Sequence, residues 1–133
     1  MERIELWKDP EKKLIDPLLF SKRAEDLAKA ISADNQNRRS SNKRTQLRKF
    51  YDEVVRLAAL SKARPDDWNN ILPMVHMLTA KAAYADGRNL ISSGFREFIG
   101  GSVEQINTPD DLNLFSNFFE AFMGFYRLYG PGN

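Results

Sequence analysis

Apolar residues recur at three- and four-residue intervals along most of the chain, the spacing of amphipathic helices and not the alternation of strands. Between Pro17 and Ala33, Leu18, Leu19, Leu27, Ala28 and Ile31 form one face, and Pro17 stands where a helix start loses nothing by lacking an N–H. A second helix is predicted over residues 41–62, with Leu47, Phe50, Tyr51, Val54, Leu57, Ala58 and Ser61 on one side. Pro65-Asp66-Asp67 opens a third, reaching about Asp86, with Trp68, Ile71, Leu72, Val75, Leu78, Thr79 and Ala82 facing inward. Pro73 predicts a kink inside it, and Gly87 predicts a left-handed cap at its end. A fourth helix is expected over 90–99, ended or interrupted by Gly100-Gly101, with one further turn over 102–106. Thr108-Pro109-Asp110-Asp111 then reads as cap, first helical residue and acidic first turn, starting a last helix that runs to Tyr129 before Gly130-Pro131-Gly132.

Two segments break the helical pattern. Residues 1–16 show an Ile4/Leu6 alternation and then charge, cut by Pro10 and Pro17, and read as an extended arm packed through Trp7. Residues 34–42 contain no apolar side chain and read as a polar loop that is mobile without a ligand. The expected fold is therefore all-α: a compact bundle of about five helices in one domain, residues 17–133, preceded by the arm.

Composition narrows the classes of function. With 133 residues, 42% apolar and 29% charged, the chain has the makings of one soluble globular domain. Absence of cysteine excludes disulfides and thiolate metal sites, and the single histidine, His76, excludes a two-histidine site. No cofactor or metal is expected. The charged start, MERIELWKDPEKK, is unlike a secretory leader, and no apolar run approaches the roughly 20 residues that cross a bilayer. A cytoplasmic protein without membrane attachment is the expectation.

Charge changes the picture more. Residues 38–64 hold nine Lys/Arg against Asp52 and Glu53, although the whole chain is only +2. Within 38–49 there are six cations and no acid. At about 100° per residue, Arg44, Arg48 and Lys62 lie within roughly 40° of one another at the edge of the second helix's apolar face. Such a concentrated basic surface suits a phosphate backbone. No base-reading motif accompanies it, so binding without sequence preference is expected.

Catalytic chemistry finds no comparable support. Asp66-Asp67 and Asp110-Asp111 each follow a proline at a helix start, where the helix dipole favours acids. His76 falls at the border of an apolar face, and Ser40, Ser41, Ser92 and Ser93 have no second histidine to activate them. Gly100-Gly101-Ser102 lacks the lysine and the spacing of a phosphate loop. The aromatic series Phe115, Phe118, Phe119, Phe122, Phe125, Tyr126 and Tyr129 could stack on bases, but its helical spacing and near-absence of cations favour core packing. The chain reads as a non-enzyme.

Three blocks, NKRTQLRKFY (42–51), KAAYADGR (81–88) and FFEAFMGFY (118–126), resemble in order and spacing the small helical subunit of type III-A (Csm) CRISPR effector complexes. The resemblance extends from about residue 38 to 129 and leaves the arm unmatched. It implies a non-catalytic subunit that lines up in several copies as a filament, self-associating beside guide RNA and contacting guide and target RNA alongside other CRISPR effector subunits. Carried over by position, Lys43, Arg44, Arg48 and Lys49 are the leading RNA contacts, followed by Lys81 and Arg88, with Gln46 and Tyr51 as polar helpers. Arg38 and Arg39 join them on charge and loop position. The alternative is a helical adaptor that docks an acidic protein partner on the same ridge.

Overall fold

The computed structural model describes residues 3–36, 38 and 40–131. Its five α-helices are α1 (Ala24–Ala33), α2 (Arg44–Ala63), α3 (Trp68–Gly87), α4 (Ser93–Val103) and α5 (Pro109–Tyr129). A π-helical turn, Leu19–Arg23, leads into α1, and 3-10 turns at Asp34–Gln36 and Pro65–Asp67 follow α1 and precede α3. α1 and α2 pack on α5, while α3 packs on α4 and α2. The all-α bundle expected from the periodicity is the fold observed, without a strand among the described residues beyond an isolated Asp9–Leu14 bridge in the arm.

The start of α5 follows from its first four residues. The Asp111 N–H donates to the Thr108 hydroxyl at 3.3 Å, and the Thr108 N–H donates to the Asp111 carboxylate at 3.0 Å. This reciprocal box satisfies two donors that a helix start otherwise leaves unpaired. Along α5, Phe115, Phe118, Phe119, Phe122 and Tyr126 are fully buried, whereas Phe125 and Tyr129 are half-buried at its margin. Phe98 of α4 meets four of these rings edge-on or tilted, with centroids 5.4–5.9 Å apart. The aromatic series is thus core, each buried ring contributing roughly 2–3 kcal/mol of transfer free energy.

The arm is clamped rather than loose. Leu6 is fully buried. Gln105 holds the strand-like backbone on both sides, accepting from the Leu6 N–H at 2.8 Å and donating to the Ile4 carbonyl at 2.6 Å. The Trp7 indole N–H donates to Asp111 at 2.8 Å, so the acid that caps α5 also anchors the arm.

Three local expectations fail for identifiable reasons. α4 does not stop at Gly100-Gly101 but continues through both to Val103. Gly101 is there because the arm crosses it: a Cβ would come within 2.8 Å of the Arg3 Cγ. Gly87 is not a left-handed cap, since no described glycine has positive φ; the left-handed residue is Asn89, at φ 60°. It turns the chain so that the Leu90 N–H reaches back to the Ala85 carbonyl at 2.9 Å. Finally, loop 34–42 is tied down at several points, described below.

The two glycines make a paired test. Gly100 has open space around its missing Cβ, so Gly100→Ala raises stability by about 0.5–1 kcal/mol through helix propensity. Gly101→Ala forfeits that gain by pushing on the arm. Thermal unfolding of the two variants should show a higher midpoint only for the first.

Candidate nucleic-acid interface

The first turn of α2, like that of α3, has no side-chain cap, but α3 is led in by the acidic turn Pro65–Asp67 whereas α2 is led in by a cation. Lys43, the residue before it, is extended (φ −61°, ψ 143°) and supplies no side-chain cap, and the first turn contains no acid. By contrast, Ser92 caps α4 and Thr108 caps α5. Among the described residues, the Arg44 and Thr45 N–H groups have no acceptor. Two cations, Lys43 and Arg44, therefore stand at the positive end of the helix dipole, where each costs about 0.3–1 kcal/mol. An anion there would relieve the repulsion and take up the open N–H groups.

Asn42 fixes where this turn lies. It is buried at φ 55°, and both its backbone groups and both side-chain atoms are satisfied. Its N–H donates to the Leu90 carbonyl at 3.0 Å, and its carbonyl accepts the Tyr126 hydroxyl at 2.6 Å. Its amide oxygen accepts the Ser92 N–H at 2.8 Å, and its amide nitrogen donates to the Ser92 hydroxyl at 2.9 Å and the Ile31 carbonyl at 3.4 Å. One residue thereby joins the end of α1, the start of α4 and the end of α5 to the start of α2. Burial pushes the Tyr126 phenol above its ordinary pKa, so it remains a donor at neutral pH.

Arg38 ties the loop at a second point. Its guanidinium donates to Asp86 at 2.6 Å and to the Ile91 carbonyl at 2.7 Å, and Arg96 donates to the other Asp86 oxygen at 2.6 Å. The Arg38 hydrogen bond, helped by Arg96, holds the Asp86 carboxyl below the ordinary carboxylate range despite partial desolvation. Because its pKa is depressed on folding, the stabilisation is present above the unfolded-state value and disappears as pH falls through the folded-state value. Asp86→Asn should therefore cost about 1–2 kcal/mol in urea unfolding at pH 7. The gap from the parent protein should close in acid, below the usual aspartate pKa.

The eight cations expected at the interface fall into different settings. Among the described residues Lys43, Arg44, Arg48 and Lys49 make no ion pair; Lys43, Arg48 and Lys49 are exposed and Arg44 is half-buried. Arg38 is engaged by Asp86, as above. Lys81 lies 3.6 Å from Glu53, which Arg56 also grips through two contacts of 2.9 Å. These cations hold the Glu53 carboxyl down, Arg56 most strongly. Arg88 is exposed and lies over the Tyr84 ring. Arg39 lies outside the described residues.

α2 separates the cations into two groups. Arg44 and Arg48 are on its α5 side, where their charges act on the Tyr126 and Tyr51 phenols respectively. Lys49 is on the α3 side, one turn before Glu53 and its partner Lys81. The helices run antiparallel, with Asn42 beside Leu90 and Glu53 beside Lys81. That alignment brings Lys81 to the level of Glu53 and puts Arg88, near Leu90, at the end of α3 closest to the start of α2. Gln46 and Tyr51 are half-buried, one on each flank. Sequence reasoning missed Asn42, Ser92 and Asp86 as the parts that position this surface. Their polar types in a loop or at a helix end carry no sign of burial, which depends on distant partners.

No group of three or more metal-ligating side chains is gathered among the described residues, and none of their helices is long and apolar enough to cross a membrane. The fold and this surface define a small helical protein whose distinctive chemistry is a cationic helix. The chain belongs to the Csm2 Type III-A family, whose family model matches residues 16–132 and so takes in all five helices. It is accordingly a structural subunit of a type III-A CRISPR complex, with other Csm subunits as its partners. No curated protein and no solved structure matched the chain.

Proposed function

We propose that this subunit binds the phosphate backbone of guide and target RNA without sequence preference and packs in several copies as a filament along it. The observation that carries the reading is the α2 start: Lys43 and Arg44 beside two N–H groups that have no acceptor among the described residues, continued by Arg48 and Lys49. Lys81 and Arg88 extend the contact from α3, and Arg38 and Arg39 from the preceding loop. Gln46 and Tyr51 serve as polar helpers at its margins. The exposed apolar side chains Leu14, Leu18 and Phe20 support packing against neighbouring copies. The role is non-catalytic and cytoplasmic; Asp111 is spent on the cap of α5 and Asp110 on Lys13.

Four to six neutralised phosphates on single-stranded RNA give a log–log salt slope of about −3 to −4. Titration of unrelated RNAs between low and moderate salt tests this. Similar slopes and affinities across sequences support the reading, and a slope near zero rejects it.

A further inference from the structure

Tyr84 is the one tyrosine of the four that offers its ring to solvent. Its exposure is 66%, whereas Tyr126 is buried and Tyr51 and Tyr129 are half-buried. Tyr51 is packed edge-on against Phe119 at 5.6 Å, and the Tyr129 hydroxyl is spent on Glu25 at 2.6 Å. Nothing comparable occupies Tyr84. The Arg88 guanidinium lies over its ring, 5.6 Å from the centroid, with a long 3.5 Å contact to the hydroxyl. Arginine on one face and high exposure together leave the opposite face open.

Its position is as informative as its exposure. Met77, Lys81, Tyr84 and Arg88 are spaced by three and four residues and share one edge of α3. Lys81 reaches Glu53 of α2, and Tyr84 and Arg88 lie on the solvent side of that contact. The antiparallel alignment sets Tyr84 near the level of Lys49. An open aromatic face is therefore flanked by Lys81 and Arg88 on its own helix. A solvent-exposed tyrosine of this size has little reason to be there for packing, since truncating it uncovers no core.

We propose that Tyr84, backed by Arg88, is a stacking platform for an unpaired nucleobase of single-stranded RNA whose phosphates meet the cations of α2 and α3. The proposal rests on the RNA-binding reading above and adds a base contact to it. Stacking accepts any base, because every base has a π-face, so it is compatible with binding that ignores sequence. It does discriminate against duplex RNA, whose bases are already stacked.

The test uses the full chain, alone and assembled with its partner subunits. Tyr84→Ala should weaken binding of single-stranded RNA about tenfold, the usual scale for losing one base–aromatic stack, with the salt slope unchanged. Tyr84→Phe and Tyr84→Trp should restore affinity, because the ring and not the hydroxyl is used. An abasic oligoribonucleotide should bind parent and Tyr84→Ala proteins alike, and 2-aminopurine in the RNA should be quenched on binding only when the ring is present. Salt-dependent binding by the parent, with Tyr84→Ala equal to it on base-bearing RNA, would overturn the stacking proposal alone. So would a variant that binds RNA normally but fails to assemble, which would make Tyr84 a protein contact. Absence of RNA binding by the parent in either setting overturns both readings.

Discussion

Replacing Arg44 and Arg48 together by alanine is expected to weaken single-stranded RNA binding about 15-fold at 0.15 M salt, for every sequence tried. The figure follows from removing two phosphate contacts, each contributing about 0.7 to the salt slope. The slope itself should flatten by about 1.4, so the deficit widens in dilute salt and vanishes toward 1 M. Neither guanidinium makes an ion pair among the described residues, so the substitution removes no internal partner. Arg48 is exposed, and alanine is the better helix former at both positions. Circular dichroism should therefore show undiminished helix. Retained affinity in a filter-binding titration, or a deficit confined to one RNA, would contradict backbone contact by this flank of α2.

The largest effect on stability is expected at Asn42. Asn42→Ala removes both side-chain bonds to Ser92 and leaves the Ser92 N–H, at the buried cap of α4, without its acceptor. An unsatisfied buried donor costs about 1–3 kcal/mol, and placing alanine in a left-handed conformation adds about 1. A total near 3 kcal/mol is expected in urea unfolding. Asn42→Gly loses the same hydrogen bonds but not the backbone comfort, so it should be about 1 kcal/mol less damaging. The pair separates the two causes. Asn42→Ala should also weaken RNA binding at temperatures where the protein is still folded, because the start of α2 then loses its side-chain ties to Ser92 and Ile31. If it unfolds no more easily than the parent, the junction is not what positions α2.

Asn42 also shows where sequence reasoning stops. It stands in a run, DNQNRRSSN, that contains no apolar residue and reads as a mobile loop. In the fold, Asn42 and Ser41 are buried, and Arg38 is locked to Asp86. The hydrogen-bond capacity that marks a residue as loop-like also suits it to a buried junction, and the choice depends on partners 50 and 84 positions away. Gly87 and Gly101 make the same point from the other side. Both read as punctuation, yet the first ends α3 without a left-handed turn, and the second is a clearance for the arm.

By itself the chain's periodicity determined five helices, because burial of one stripe per helix imposes three- and four-residue spacing whatever the neighbours are. It also determined the capped start of α5, a local matter of four residues, and the crowding of positive charge around α2, which is plain counting. Only the tertiary structure decided which cations remain unpaired. Arg38 and Lys81 find acids on other elements, while among the described residues Lys43, Arg44, Arg48 and Lys49 do not, and pairing across elements is set by three-dimensional proximity. It decided too that Lys81 lies beside Glu53, since antiparallel packing of α2 on α3 reverses the order in which the chain presents them.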